Sequence, residues 1–227
     1  FRNPNIWNGY RNTLFIVVAG VAVNMILTLL GGYLLSRRNW MFQKVLALSV
    51  IFTMYFSGGL IPFYLTVRDL HLDNTLWSLI FPTAISTYNL IIMRTAFAAI
   101  PESLEESAKL DGASHYVILT KIMIPLVVPT IAVLVLYYGV GHWNAWFNAM
   151  IFLRDRSKYP LQLILREILI QNSLNDMTMG TGMDDREMIA ETIKYAVIVV
   201  STVPILCLYP FLQKYFVKGV MIGAVKG

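Results

Sequence analysis

Residues 12–35 read NTLFIVVAGVAVNMILTLLGGYLL, an apolar stretch that contains no charged side chain. A helix needs about 20 consecutive, mostly apolar residues to cross the hydrocarbon core of a lipid bilayer. This stretch meets that length, and polar connectors separate it from four further stretches that also meet it. Together the five stretches are Asn12–Leu35, Lys44–Val67, Thr75–Ala98, Pro125–Leu153 and Thr192–Leu212. We therefore predict an all-α polytopic membrane protein with a single transmembrane domain over residues 1–227.

The composition agrees with a protein embedded in lipid. Of the 227 residues, 57% are hydrophobic and 14% are charged, whereas soluble domains carry about 25% charged residues. A secretory signal peptide would be one short apolar stretch at the N-terminus, but here the apolar stretches recur along the whole chain. Secretion is therefore excluded. Because the sequence starts at Phe1 and the number of crossings is odd, we expect a sixth crossing upstream of it.

The polar residues exclude several kinds of site. Cys207 is the only cysteine, which rules out disulfide bonds within the chain and cysteine-based metal sites. The three histidines are scattered one to a region, so we expect no bound metal. The net charge of +5 is spread among the connectors, which favours anchoring at the membrane edge over a nucleic-acid partner. No Gly-x4-Gly-Lys-Ser/Thr loop is present, so any ATP must be bound by a partner protein.

The connectors have an expected sidedness. Lys and Arg accumulate in short cytoplasmic loops, and the connector after the first stretch carries Arg37 and Arg38, whereas the next one carries only Arg68. Because successive connectors alternate between the two sides, this difference in charge places the connector 99–124 in the cytoplasm and the long connector 154–191 outside.

Helix-weakening residues inside the stretches predict kinks, which in a bilayer imply a packed bundle or a wet cavity. They are Gly58, Gly59, Pro62, Pro82, Pro125, Pro129 and Pro204.

The cytoplasmic connector contains a short predicted helix, Ile100-Pro-Glu-Ser-Leu-Glu-Glu-Ser-Ala-Lys-Leu-Asp-Gly112. Pro101 suits the first helical position, the glutamates lie at the positive end of the helix dipole, and Gly112 suits a left-handed stop. A helix of about ten residues is marginally stable alone because its nucleation is costly. We therefore expect it to dock on another surface. The residues along one of its sides are Leu104, Ser107, Ala108 and Asp111.

The spacing around this helix is specific. Glu106-Ser-Ala108 is followed after three residues by Gly112, and after nine more by Ile122-Met-Ile-Pro125. This resembles the Glu-Ala-Ala loop of ABC importer permeases, whose pattern is Glu-Ala-Ala, three residues, Gly, nine residues, Ile-x-Leu-Pro. Ser107 stands in place of Ala and Ile124 in place of Leu, and both replacements keep the size and character of the side chain approximately.

The resemblance implies a type I ABC importer permease fold in the bacterial cytoplasmic membrane. In that family the loop is the coupling helix, which fits a groove on a cytoplasmic ATPase subunit. Glu106 would pair with a basic group of the ATPase, and Pro125 would mark the return into the membrane. The implied coupling residues are Glu105, Glu106, Ser107, Ala108, Asp111, Gly112, Ile122 and Pro125. The implied partners are a second homologous permease, two ATPase subunits that bind ATP and Mg, and an extracytoplasmic solute-binding protein.

Most of the chain also resembles carbohydrate-import permeases of the maltose-permease type. The resemblance lies in Tyr10-Arg-Asn-Thr-Leu14, in Trp143-Asn144 and in the tail Gln213–Gly227. The tail is similar to the group that imports oligosaccharides released from polysaccharides, among them the alginate importer. This implies import of a sugar or oligosaccharide, such as a uronic-acid oligosaccharide, by a chain that catalyses no bond chemistry and binds no cofactor itself. It also implies that the solute-binding protein docks on the connector 154–191.

Polar and aromatic residues inside the spans are the candidates for a substrate path. Gly141–Asn148 is the most polar and aromatic patch in any span, and such groups suit the C–H faces and hydroxyl edges of sugars. At helical spacing Asn144 and Asn148 share one face, as do Trp143 and Phe147. The alternative is that these side chains only hydrogen-bond between helices or anchor the outer interface. The full candidate set is Trp143, Asn144, Phe147, Asn148, Tyr88 and Asn89.

Rival functions compete with import of a sugar by an ABC system. An ion-coupled secondary transporter needs ionisable residues near the middle of the membrane. The spans are nearly free of them, with Arg94 as the exception, and Arg94 is close enough to the inner end to snorkel. An intramembrane enzyme needs a convergent nucleophile, base or metal cluster, and the sequence shows none. The sequence does not exclude a third alternative, an ABC permease for a solute that is not a sugar.

Overall fold

The computed structural model describes residues 4–37, 42–178 and 192–207, and within these ranges every regular element is a helix. The helices are α1 (Pro4–Ser36), α2 (Gln43–Tyr55), α3 (Leu60–Asp69), α4 (Thr87–Ala98), α5 (Glu102–Leu110), α6 (His115–Val117), α7 (Ile124–Leu126), α8 (Val128–Trp143), α9 (Phe147–Phe152), α10 (Leu161–Thr178) and α11 (Thr192–Cys207). Short 3-10 turns are formed by Leu76–Leu79, Phe81–Thr83 and Arg156–Lys158. A π-helical stretch, Ile118–Met123, joins α6 to α7.

α1 is the one helix in the described part of the chain that is long and apolar enough by itself to cross a membrane. It packs against α4, α8 and α10, so it lies at the centre of the bundle. Polar side chains inside a membrane helix are expected to face protein instead of lipid, and α1 buries several. These buried polar residues are Asn12, Thr13, Asn24, Thr28 and Ser36.

Three other pairs of segments are long and apolar enough only when both members are taken together across a bend, as a broken span or a re-entrant loop. The pair α2 and α3 bends by 116°, the 3-10 turns and α4 bend by 49°, and His115–Leu126 and α8 bend by 83°. Sharp bends arise where proline, glycine or an inserted group interrupts the helical hydrogen bonds. The three breaks lie next to the expected weak points Gly59, Pro82 and Pro129.

The stretch Lys44–Val67 differs most from the single straight helix that its hydropathy suggests. α2 ends at Tyr55, and α3 starts only after a break that includes Gly59. Gly59 has φ of +87°, a backbone conformation that residues with a Cβ rarely adopt. A hydropathy pattern reports compatibility with lipid but not helix direction, so it cannot reveal the 116° bend.

Asn24 satisfies the backbone at the break before α4. Its Nδ2 donates hydrogen bonds to the carbonyl oxygens of Thr83 and Ala84, at 2.7 and 2.8 Å. Both carbonyls lie between the end of the 3-10 turn and the start of α4. A backbone polar group left without a partner inside hydrocarbon is costly, and a side chain from a neighbouring helix can replace the missing partner. Asn24 therefore stabilises this break within the bundle.

The same side chain also binds α8. His142 Nε2 lies 2.7 Å from Asn24 Oδ1, and the imidazole packs so closely on Gly20 that a Cβ there would lie 2.5 Å from Nε2. One turn further along α1, Thr28 shares a hydrogen bond of 2.7 Å with Tyr138. The Tyr138 hydroxyl also accepts from the N-cap N–H of α4 at 3.3 Å. We call Asn24, Thr28, Tyr138 and His142 the Asn24 network.

The connector 154–191 contains a helix that hydropathy does not predict. α10 lies within it, and Leu161 at its start is fully buried. Asn12 of α1 donates hydrogen bonds to the carbonyls of Ser157 and Tyr159, at 2.8 and 3.1 Å. These bonds fix the turn that leads into α10 against the start of α1. The residues of this connector beyond Thr178, including the glycine-rich part expected to contact a binding protein, lie outside the described residues.

Replacing Asn24 with leucine removes a side chain that makes three hydrogen bonds. We expect the free energy of unfolding to fall by about 1–3 kcal/mol, because the Thr83 and Ala84 carbonyls and His142 lose their partner. Denaturation of the protein in mixed micelles measures this change. Thr95→Val is the matched control, since Thr95 is exposed and its hydroxyl bonds, within the described residues, only to the Ile91 carbonyl of its own helix. Equal stability of the two variants would contradict the role assigned to Asn24.

Candidate functional site

α5 follows the predicted start and stop signals with one shift. Pro101 is the N-cap residue instead of the first helical residue, with φ of −55° and ψ of 133°. Glu102 and Glu105 lie in the first turn, where the helix dipole favours negative charge. Gly112 has φ of +78°, the left-handed conformation predicted for the stop.

α5 docks on its own chain along one side. Glu105 and Ala108 are the buried residues of this helix. Ala108 belongs to the same apolar cluster as Phe97 and Ile118, so its small side chain allows α5 to approach the bundle closely. The resemblance placed Ala108 among the residues that couple to the ATPase, but the structure places its side chain against the core of this chain. The surface on which this short helix docks is therefore formed in part by its own chain.

Glu105 attaches α5 to the end of α1. It is 5% exposed, and one carboxylate oxygen pairs with the Arg37 guanidinium while the other lies 2.9 Å from Lys109 Nζ. Arg37 also donates to the Phe97 carbonyl in the last turn of α4, at 3.1 Å. A single guanidinium thus joins α1, α4 and α5.

The charge state of Glu105 follows from its partners. Burial by itself raises the pKa of a carboxyl group, because it disfavours the charged form. The hydrogen bond from Lys109 and the positive charge of Arg37 outweigh burial, so the pKa of Glu105 lies below its ordinary value. Glu105 is therefore ionised at neutral pH. Because a buried charge that loses its partner is strongly destabilising, Arg37 and Glu105 depend on each other.

The opposite side of α5 is exposed and combines charge with apolar surface. The exposed members of the predicted coupling set on this helix and its stop are Glu106, Ser107, Asp111 and Gly112. Leu110 is 89% exposed, and Tyr116 in the segment that follows is 75% exposed. Large apolar side chains that are exposed together mark interaction sites. Sequence reasoning missed both residues, although a leucine and a tyrosine within a polar segment were the available signal.

A cleft of about 610 Å³ lies beside α5. The end of α1 contributes Tyr33 and Arg37 to its lining, α5 contributes Glu106 and Lys109, and His115 lies at the start of α6. The cleft therefore carries charges of both signs. Its volume and mixed lining suit a charged side chain or loop of a partner protein.

The last two residues of the predicted coupling set lie on the return into the bundle. Ile122 is in the π-helical stretch and packs on the apolar cluster around Met123. Pro125 is exposed in α7, directly before the 83° bend that leads into α8. π-helical turns interrupt regular helices and are frequent at functional positions. The connection from α5 to α8 is thus irregular, in contrast to the single span expected from Pro125 onward.

The residues expected to line a substrate path do not lie on one continuous helix. α8 ends at Trp143, Asn144 is its C-cap, and α9 starts at Phe147. Asn144 and Asn148 therefore do not share the helix face that their spacing of four residues predicts. The prediction assumed one span from residue 125 to residue 153, and residues 144–146 contain neither glycine nor proline to signal a break.

The six candidate path residues also differ in burial. Trp143 is buried, and its Nε1 donates to the Ser201 carbonyl of α11 at 3.1 Å, which joins two helices. Asn89 is buried as well. The exposed or half-buried members, which can face a solute, are Tyr88, Asn144, Phe147 and Asn148. In the described ranges no hydrogen bond or ring contact joins Tyr88 or Asn89 to residues 143–148.

Replacing Glu105 with glutamine leaves the Arg37 guanidinium without its carboxylate partner. We expect amide hydrogen exchange in residues 102–112 to rise by about tenfold, because docking on α1 limits the opening of α5. Exchange mass spectrometry of the purified protein measures this rise. Glu102→Gln makes the same chemical change at an exposed position of the same helix and should alter exchange by less than about twofold. If both variants exchange alike, Glu105 does not hold α5.

The ionised carboxylate also gives this docking a pH dependence. Because the folded pKa is depressed, the ion pairs contribute stability above the ordinary value of 4.5, and this is lost as pH falls through the folded pKa. We expect the Tm difference between the native chain and Glu105→Gln to be constant between about pH 5.5 and 8 and to shrink below about pH 4.5. Thermal unfolding in detergent at stepped pH measures it. A difference that grows on acidification would show the opposite linkage.

Known proteins are similar to this chain over most of its length. Residues 27–222 match a family described as the binding-protein-dependent transport system inner membrane component. The polygalacturonan/rhamnogalacturonan transport system permease protein YtcP of Bacillus subtilis is 46% identical over 100% of this chain and 79% of its own length. Protein LplC of the same bacterium is 44% identical over 100% of this chain and 77% of its own length.

A solved structure also shares the fold. A crystal structure of a bacterial ABC transporter involved in import of the acidic polysaccharide alginate contains a chain that matches with a TM-score of 0.84 and 34% identity. The match covers 95% of this chain and 76% of that one. The predicted all-α permease fold is thereby confirmed. From the family match, the relatives and this fold, the chain belongs to the inner-membrane components of binding-protein-dependent transport systems, the permease subunits of bacterial ABC importers.

Proposed function

We propose that this permease subunit imports uronic-acid oligosaccharides released from acidic polysaccharides. The observation that carries the proposal is 46% identity over the whole chain to a permease named for polygalacturonan and rhamnogalacturonan. The alginate importer, at 34% identity, handles an acidic polysaccharide too. Relatives named for arabinooligosaccharides and maltodextrin, which are neutral, are 27% and 30% identical. Similarity is thus greater to the carriers of acidic sugars.

In this proposal ATP and Mg are bound by two cytoplasmic ATPase subunits, and this chain catalyses no bond chemistry. The exposed side of α5, with Glu106 and Leu110, enters a groove of one ATPase together with Tyr116 of α6. The buried side, with Glu105 and Ala108, transmits the movement of that ATPase to α1 and to the apolar core. A second permease completes the path, and a solute-binding protein delivers the oligosaccharide from outside.

The direct test is uptake of labelled galacturonate oligosaccharides into proteoliposomes that contain the whole complex and its binding protein. We expect uptake to require ATP and to fall by about tenfold or more in Glu106→Lys, because the reversed charge repels the basic group expected in the ATPase groove. Asp69→Lys is the matched control, since it reverses an exposed charge at the end of α3, in the connector predicted to lie on the outer side of the membrane. Normal uptake by the Glu106→Lys complex would contradict the coupling role.

The rival functions give other outcomes in the same vesicles. An ion-coupled secondary transporter would take up solute with this chain alone, without ATPase subunits, when an ion gradient is imposed. An ABC permease for a non-sugar solute would show ATP-dependent uptake of that solute and none of any uronic-acid oligosaccharide in the panel. The first result would overturn ATP-driven import, and the second would overturn the proposed substrate class.

A further inference from the structure

Arg166 has no carboxylate partner within the described part of the chain. Its guanidinium carbon lies 4.0 Å from the ring centroid of Trp146, and its Nη1 lies 3.0 Å from the Met150 sulfur. Arg156 in the same connector differs, because it pairs with Glu167 at 3.1 Å. A guanidinium that rests on a ring and contacts a thioether keeps most of its capacity to bind an anion.

The surface around Arg166 is built at the break between α8 and α9. Trp146 lies in this break, and its ring meets Phe147 edge to face, with centroids 5.6 Å apart and planes at 89°. Phe147 is 44% exposed, and Met150 is 43% exposed. We call the four side chains Trp146, Phe147, Met150 and Arg166 the Arg166 platform. It presents a half-buried cation beside partly exposed apolar and aromatic side chains.

These groups match the chemistry of a uronic-acid unit. A guanidinium is always charged and binds a carboxylate through two parallel N–H donors. Cation–π attraction to the indole orients the guanidinium before a ligand arrives, which lowers the ordering cost of binding. Met150 sulfur is a weak acceptor, so a carboxylate can displace it from Nη1. The exposed ring of Phe147 offers an apolar surface for the C–H face of the sugar.

We propose that Arg166, held over Trp146, binds the carboxylate of a uronic-acid unit on the transport path and so makes this permease favour acidic over neutral oligosaccharides. This rests on the proposed function, and it assigns the selectivity to a residue of α10. A purely structural cation–π contact would only fix α10 against the α8–α9 break. Loss of that structural contact would reduce transport of acidic and neutral sugars alike.

The test compares initial uptake of trigalacturonate and its methyl ester by the reconstituted complex with saturating binding protein. Arg166→Gln should lower trigalacturonate uptake by about tenfold, which is the effect of losing one charge-assisted hydrogen bond. It should lower uptake of the ester by less than about twofold, because the ester has no carboxylate to lose. Arg166→Lys keeps the charge but not the planar fork and should lower trigalacturonate uptake by about threefold. Arg156→Gln removes an equal charge from a guanidinium that is already paired and should leave trigalacturonate uptake unchanged within about twofold.

The ATPase rate without substrate shows for each variant that the complex has assembled. Should the binding protein reject the ester, Arg166→Lys decides on trigalacturonate: lysine keeps the cation–π contact with Trp146 and loses only the planar fork, so a purely structural role predicts no loss of uptake. Equal loss with both substrates, or equal uptake by Arg166→Gln and Arg156→Gln, overturns the role of Arg166 and leaves the proposed function intact. A native complex that imports no uronic-acid oligosaccharide overturns the proposed function and this inference together.

Discussion

The hydrogen bonds from Asn24 to the carbonyls of Thr83 and Ala84 show the constraint under which the bundle is built. A membrane span can be broken only where another group satisfies the freed backbone, and α1 supplies such groups along its whole length. Near its start, Asn12 binds carbonyls that precede α10. At its end, Arg37 binds a carbonyl in the last turn of α4. α1 is therefore the unbroken helix against which the bent segments pack.

α5 is attached to the same helix, and this gives its two sides separate roles. The ion pair between Glu105 and Arg37 holds the buried side on α1, while Ala108 packs in the apolar core. The exposed side keeps Glu106 and Leu110 available to a partner. In the proposed function, a displacement imposed on the exposed side by the ATPase would be carried into α1 and, through the Asn24 network, toward the break before α4.

Local patterns predicted the parts of the fold that depend on local physics. The sequence alone predicted the apolar run of α1 and the left-handed stop at Gly112. It also showed the spacing typical of the coupling loop. His142 appeared isolated because its partner Asn24 lies 118 residues away along the chain. The break after Trp143 was missed because no glycine or proline marks it, and so the face shared by Asn144 and Asn148 was inferred from a helix that does not continue. Non-local contacts and bends are set by packing, which hydropathy does not encode.

The most direct measurement is the number of ATP molecules hydrolysed per oligosaccharide imported, in a double-mutant cycle of Arg37→Gln and Glu105→Gln. If α5 acts on α1 through this ion pair, each single variant raises the ratio, because it breaks the contact and leaves the other charge without this partner. The double variant then raises it less than the two single effects combined, since neither charge remains. If the single variants keep the native ratio, or if their effects combine independently, α5 does not drive transport through α1.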